Sequence, residues 1–206
     1  MVIGEKFAWA HLPKTGGDAT LAMFRLFPDL VEFADPEDTN DKHAQFHSRA
    51  RLIRGKLLVM NFRRLPSWVL SRAQHVSRRG IHPDYEPLPM GTSSELAESS
   101  FPDNRLLLYT AEGRFHPDRW LRMESLAADF IDLISDFRAV SDEERRGVMA
   151  LGQINQAEYD HQIASWFSSD EIARMYLNNP CWATVEQELY GGLYEIDELS
   201  PAGKSA

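Results

Sequence analysis

The stretch Lys6-Phe-Ala-Trp-Ala-His11, running straight into Leu12-Pro13-Lys14-Thr15-Gly16-Gly17, decides how the chain folds. It is an apolar run of strand length that enters a glycine turn. Beyond the turn, Asp18 to Phe27 carries Leu21, Phe24 and Leu26 among good helix formers, so the order is strand, turn, helix. A second unit of the same kind follows. Lys56-Leu-Leu-Val-Met-Asn-Phe62 is nearly all apolar, Arg63-Arg64-Leu65 is its turn, and Pro66 stands where a first helical turn tolerates proline. Trp68, Val69, Arg72 and Val76 then share a helix ending near Gly80. Between the two strands, the spacing of Phe46, Ala50 and Ile53 predicts a helix over Asp41 to Arg54. Two strands that each feed a helix and are joined by a crossover favour a parallel sheet.

Outward from these units the chain turns helical. Residues 80–104, with Pro83, Pro87, Pro89, Gly91 and Pro102 around Tyr85, form a long loop of the kind used as a lid or binding element. Trp120-Leu-Arg-Met123 has the pattern of a strand, and Leu126, Phe130, Leu133, Ile134 and Phe137 make one helical stripe. Further helices to Tyr190 start at Ser141, at Ser168 or Ser169, and at Asn179 before Pro180. Trp166, Met175, Trp182, Val185 and Leu189 belong to the core rather than to a cofactor site. One domain is expected over residues 1–196, with a frayed tail over 197–206.

The 206 residues carry 22 Lys+Arg against 31 Asp+Glu, a formal charge of −9, and are 43% hydrophobic. A chain of this size buries a core without help from metal or disulfide. The single Cys181 cannot form an internal bridge and points to a reducing compartment. No apolar run approaches the roughly 20 residues of a membrane helix, and Glu5 and Lys6 follow Met1 instead of a signal-peptide pattern. A cytoplasmic location is expected. The acidic total argues against nucleic acid and anionic membranes as partners, yet from Lys42 to Pro83 there are ten basic residues and no Asp or Glu. Such a segment in an acidic protein suits a local anion site, and it also suits a solvated basic helix face.

A glycine turn between strand and helix presents backbone N–H groups and the positive end of a helix dipole to whatever lies above it. Lys14 adds a cation, and Thr15 and Thr20 offer hydroxyl donors. The pattern is neither Gly-x-x-x-x-Gly-Lys-Ser/Thr nor Gly-x-Gly-x-x-Gly, because the lysine precedes the glycines.

His11-Leu-Pro-Lys-Thr-Gly-Gly17 with Thr20-Leu21 resembles the 5′-phosphosulfate-binding loop of the sulfotransferases, closest to the carbohydrate and heparan-sulfate branch. Arg63 with Ser71 eight residues later resembles that family's 3′-phosphate segment. Arg122-Met-Glu-Ser-Leu126 is similar to its strand ending in a Glu before a helix. Asn155-Gln-Ala-Glu-Tyr159, Trp166-Phe-Ser, Asn179-Pro-Cys-Trp and Glu188-Leu-Tyr-Gly191 are similar to its C-terminal helices. The resemblance implies a P-loop-like three-layer α/β fold: a short central parallel sheet, helices on both faces, and a helical C-terminal part. It implies 3′-phosphoadenosine 5′-phosphosulfate as donor, with no metal, and a saccharide or small-metabolite hydroxyl as acceptor. Pro13, Lys14, Thr15, Gly16, Gly17 and Thr20 would then hold the phosphosulfate, with Lys14 also catalytic, and Arg63 and Ser71 the 3′-phosphate, helped by Arg64.

An attacking hydroxyl calls for a base, and histidine is neutral at cellular pH. His43 lies between the two donor motifs, where this branch carries a catalytic His, and His47, one helical turn later on the same face, is the second candidate. His11 packs at the end of its strand, and Glu124 either touches the acceptor or caps a helix. Asp18 stands where the family has Thr or Ser, so it either burdens the anion site or caps the helix facing away. The Lys-Gly-rich loop of the small-molecule branch is absent. Two rival functions remain, a P-loop kinase-like enzyme requiring Mg²⁺ and a non-catalytic nucleotide- or partner-binding module.

Overall fold

Phe7–Ala10 is buried at all four positions, the pattern of a strand covered on both faces, and it organises the sheet. The structure is a computed structural model that describes residues 1–36, 43–78, 97–151 and 159–196. Contacts divide the chain into two compact units, Met1–Arg63 with Asp103–Tyr159, and Arg64–Pro102 with Asp160–Ala206.

The first unit holds a five-stranded sheet of β1 (Val2–Ile3), β2 (Phe7–Ala10), β3 (Phe33–Ala34), β4 (Leu57–Phe62) and β5 (Arg119–Arg122), in the order β3-β1-β2-β4-β5. β2 and β4 are parallel, with Trp9 opposite Val59, and β4 and β5 are parallel, with Asn61 opposite Leu121. β1 is antiparallel to both its neighbours, so the other four strands share one direction. The expected parallel pairing of the two strand-turn-helix units is therefore present. Strand alternation puts Trp9, Val59 and Leu121 on one face. There they join a core with Phe24 of α1 (Gly17–Phe24), Phe130 and Ile134 of α4 (Leu126–Ser135) and Val148 of α5 (Asp142–Leu151). Phe24 stacks on Phe7 with centroids 5.4 Å apart and meets Phe130 edge-on at 4.9 Å.

The second unit is helical. α2 (Leu65–Arg78) carries Trp68, whose ring lies 5.1 Å from that of Trp182 on α7 (Pro180–Tyr190). α6 (Ser169–Asn178) starts in a capping box, Ser168 with Glu171, and α7 starts with Pro180 after Asn179. These starts, and that of α5 after Ser141, are where the sequence put them.

Two expectations are corrected. Over residues 43–54 there is no α-helix but a short 3₁₀ turn, Phe46–Arg49. Both the amide and the hydroxyl of Ser48 donate to the Gln45 carbonyl, at 3.1 and 2.7 Å, which favours a tight three-residue turn. The long loop also ends early. α3 (Phe101–Tyr109) begins inside it, with the Ser99 hydroxyl accepting from the Phe101 amide at 3.2 Å and Pro102 tolerated in the first turn. The remainder of that loop to residue 96, Asp41 and Lys42, Asn155 to Glu158, and the expected tail over 197–206 lie outside the described residues. Among the described residues no helix is long and apolar enough to cross a membrane.

Candidate functional site

The glycine turn after β2 is shaped by its own backbone. Lys14 and Gly16 both adopt left-handed conformations, with φ of 69° and 87°, while Thr15 between them does not. For lysine this costs about 1–2 kcal/mol, so the surrounding structure holds it there. Alternating handedness of this kind turns successive N–H groups toward one concavity, and α1 begins immediately after it. Gly16 is the N-cap of α1 and supplies no capping side chain, which leaves the helix's first N–H groups turned to the loop.

Both glycines are also required by space. A Cβ on Gly16 would meet the Met123 sulfur and Leu126, and one on Gly17 would collide with the His11 ring. His11 is buried, stacked on Trp9 with centroids 5.5 Å apart, and packs at the strand end as expected.

The hydroxyls of Thr15 and Thr20 are both buried and turned inward. Thr15 Oγ1 donates to the Leu12 carbonyl at 2.6 Å, and Thr20 Oγ1 to the Gly16 carbonyl at 3.2 Å. Both hydroxyls thus bond within the turn and shape the loop. The residue that ties this together is Asn61, which the sequence reading missed. Its amide nitrogen donates to the Thr15 carbonyl at 2.9 Å and to Thr20 Oγ1 at 2.7 Å, while its oxygen accepts from the Trp9 indole at 2.7 Å. The signal was a lone polar residue inside the apolar run Leu57–Phe62.

Two more of the expected residues come to this loop. Arg63, directly after β4, donates from Nη1 to the Lys14 carbonyl at 3.4 Å. His43 is half-buried, its ring 4.5 Å from the His11 ring, and its Nδ1 lies 3.4 Å from the His11 carbonyl. A carbonyl only accepts, so a hydrogen bond here requires the tautomer with the proton on Nδ1.

No family model, curated protein or solved structure matches this chain.

Other expected residues are placed differently. Arg64 is bound to Glu186 at 3.0 Å and to the Gly192 carbonyl at 3.2 Å, and its guanidinium lies 4.2 Å over the Tyr190 ring. It joins α2 to α7 within the second unit. Ser71 is buried on α2 in that same unit. His47 is exposed on the 3₁₀ turn, so the one-turn-apart, same-face relation to His43 does not hold. Asp18 is exposed in the first turn of α1; it is not the cap, which is Gly16. Glu124 is exposed one residue beyond Met123, past the end of β5.

Electrostatics differ between two of the carboxylates that pair with arginines, Asp129 and Glu186. Asp129 accepts from Arg122 Nε, Nη2 and backbone N–H at 2.9, 2.8 and 2.8 Å. Burial opposes its ionisation, but Arg122 and Ser125 together hold its pKa below the usual carboxylate range. Glu186 is fully buried, and there burial prevails: its pKa is raised although Leu65 N–H, Tyr176 and Arg64 all donate to it. The second unit also holds a cavity of about 790 Å³, lined by Ile172, Tyr176, Leu193 and Tyr194 among others, and none of the expected site residues lines it. No group of three or more His, Cys, Asp or Glu among the described residues is arranged to hold a metal ion.

Proposed function

We propose that the chain is a 3′-phosphoadenosine 5′-phosphosulfate-dependent sulfotransferase with a P-loop-like three-layer α/β fold, acting on a hydroxyl of a saccharide or small metabolite. One observation carries the reading: two basic motifs 49 residues apart converge, Arg63 reaching the carbonyl of Lys14 in a glycine loop that opens a helix. The donor has two separated anionic ends, which suits a loop of amides with a lysine and a guanidinium beside it.

In this reading the loop amides from Lys14 to Gly17 grip the phosphosulfate and Arg63 the 3′-phosphate. His43 Nε2 takes the proton of the acceptor hydroxyl as its oxygen bonds to sulfur. The bond from sulfur to the bridging phosphate oxygen breaks, and Lys14 stabilises the charge left on that oxygen. The products are a sulfate ester, 3′,5′-adenosine bisphosphate and a protonated His43. In-line geometry makes positioning and electrostatics the main contributions of the protein.

The test is thermal unfolding with 3′,5′-adenosine bisphosphate, followed by sulfuryl transfer to a panel of hydroxyl acceptors. Stabilisation of about 2.7 kcal/mol is expected at a hundred times the dissociation constant. No shift at millimolar concentration with a folded protein overturns the reading. Asp18, exposed in the first turn of α1, favours a second reading as a non-catalytic module. Bisphosphate binding without transfer to any acceptor would select it, and Mg²⁺-dependent phosphoryl transfer would select the kinase-like enzyme.

A further inference from the structure

His43 leads into a turn that the rest of the first unit grips from two sides. The hydroxyl of Tyr109, the last residue of α3, donates to the His43 carbonyl at 3.0 Å, and Tyr109 is 1% exposed. After Thr110 come three residues of left-handed backbone, Ala111, Glu112 and Gly113, with φ of 47°, 58° and 84°. Two of them carry side chains, for which this conformation is costly, so the turn is held against its local preference. Its effect is to bring the chain back: the Phe115 amide donates to the Thr110 carbonyl at 2.9 Å, and the Phe115 ring lies 6.3 Å from that of Phe46. The segment from His43 to Phe46 is thus held at its backbone by Tyr109 and at its buried side chain by Phe115.

We propose that Tyr109 is a positioning residue: by fixing the His43 backbone it keeps Nδ1 on the His11 carbonyl and so makes Nε2 the basic nitrogen. The inference rests on the reading of His43 as the base, but its structural half stands apart from any activity. Burial keeps the Tyr109 hydroxyl protonated well above its ordinary range, so it remains a donor throughout working pH. Tyr109→Phe removes that donor and keeps the ring.

The experiment is ¹⁵N NMR of the histidine rings in the full chain, above their titration, combined with kinetics. In the wild type His43 is expected in the Nδ1–H form. In Tyr109→Phe it should shift toward a mixture of the two tautomers. The kcat should fall by about tenfold to a hundredfold with bisphosphate affinity unchanged, and the same substitution in a His43→Ala background should cost no further kcat. An Nε2–H form in the wild type overturns the proposal, whether or not the variant folds. So does a Tyr109→Phe protein with unaltered tautomer and kcat. If the tautomer shifts as expected but the wild type transfers no sulfuryl group, the enzymatic reading fails and the positioning role stands.

Discussion

Arg63 and Arg64 are neighbours in sequence, yet the first belongs to one compact unit and the second to the other. Arg63 makes a long hydrogen bond to a neutral carbonyl in a strained loop. Arg64 meets a fully buried carboxylate at 3.0 Å, and that carboxylate also accepts from Tyr176 and from the Leu65 amide, both at 2.7 Å. The two contacts differ in the charge and burial of the acceptor, although residue type and spacing are nearly the same for both.

If the comparison is right, the two regions respond oppositely to deletion. Lys14→Ala should lower transfer by about 10²–10³-fold while leaving the unfolding midpoint unchanged, measured by turnover and thermal melting. A matching loss of stability would erase the distinction. Arg64→Ala should do the reverse, costing about 3–5 kcal/mol in urea unfolding because Glu186 is left buried without its guanidinium. Arg63→Ala should stay within about 0.5 kcal/mol of wild-type stability, with bisphosphate binding weakened by about tenfold to a hundredfold in titration calorimetry.

Asn61→Ala sharpens the comparison from the loop side. It strips the Trp9 indole, the Thr15 carbonyl and the Thr20 hydroxyl of one partner each, so a cost of about 2–4 kcal/mol is expected in the same urea series. The smallest effect is in pH. Asp129, held low, contributes its stability above the ordinary aspartate range and loses it as pH falls through its lowered pKa. Glu186, held high, keeps its proton in the native state when the unfolded chain has lost it, so its contribution falls as pH rises through the raised pKa. Urea midpoints against pH for Asp129→Asn and Glu186→Gln should therefore lose slope on opposite sides, the first on the acid side and the second above the ordinary glutamate range.

The backbone plan was legible because it rests on local signals. Apolar runs gave β2 and β4, the glycines gave the turn between β2 and α1, and Ser168 and Asn179 gave helix starts. Some of what escaped depends on partners distant in the chain, and some on local side-chain hydrogen bonds. Nothing near Arg64 announces Glu186, which lies 122 residues away. Thr15 and Thr20 look like outward donors until the inward pull of Asn61 and the loop carbonyls is known. The 3₁₀ turn displaced a helix because Ser48 captures a carbonyl three residues back, a competition that apolar periodicity does not register.

Asn61 ties the fate of the loop to the alignment of two strands. Its side chain reaches Trp9, Thr15 and Thr20 only while Trp9 pairs with Val59, and a slip of one residue would swing it through to the opposite side of the sheet. The glycine loop therefore cannot take its shape from the first 17 residues of the chain by themselves. It waits for a segment synthesised some fifty residues later, 52 separating Trp9 from Asn61, which makes a completed sheet the precondition of a completed loop.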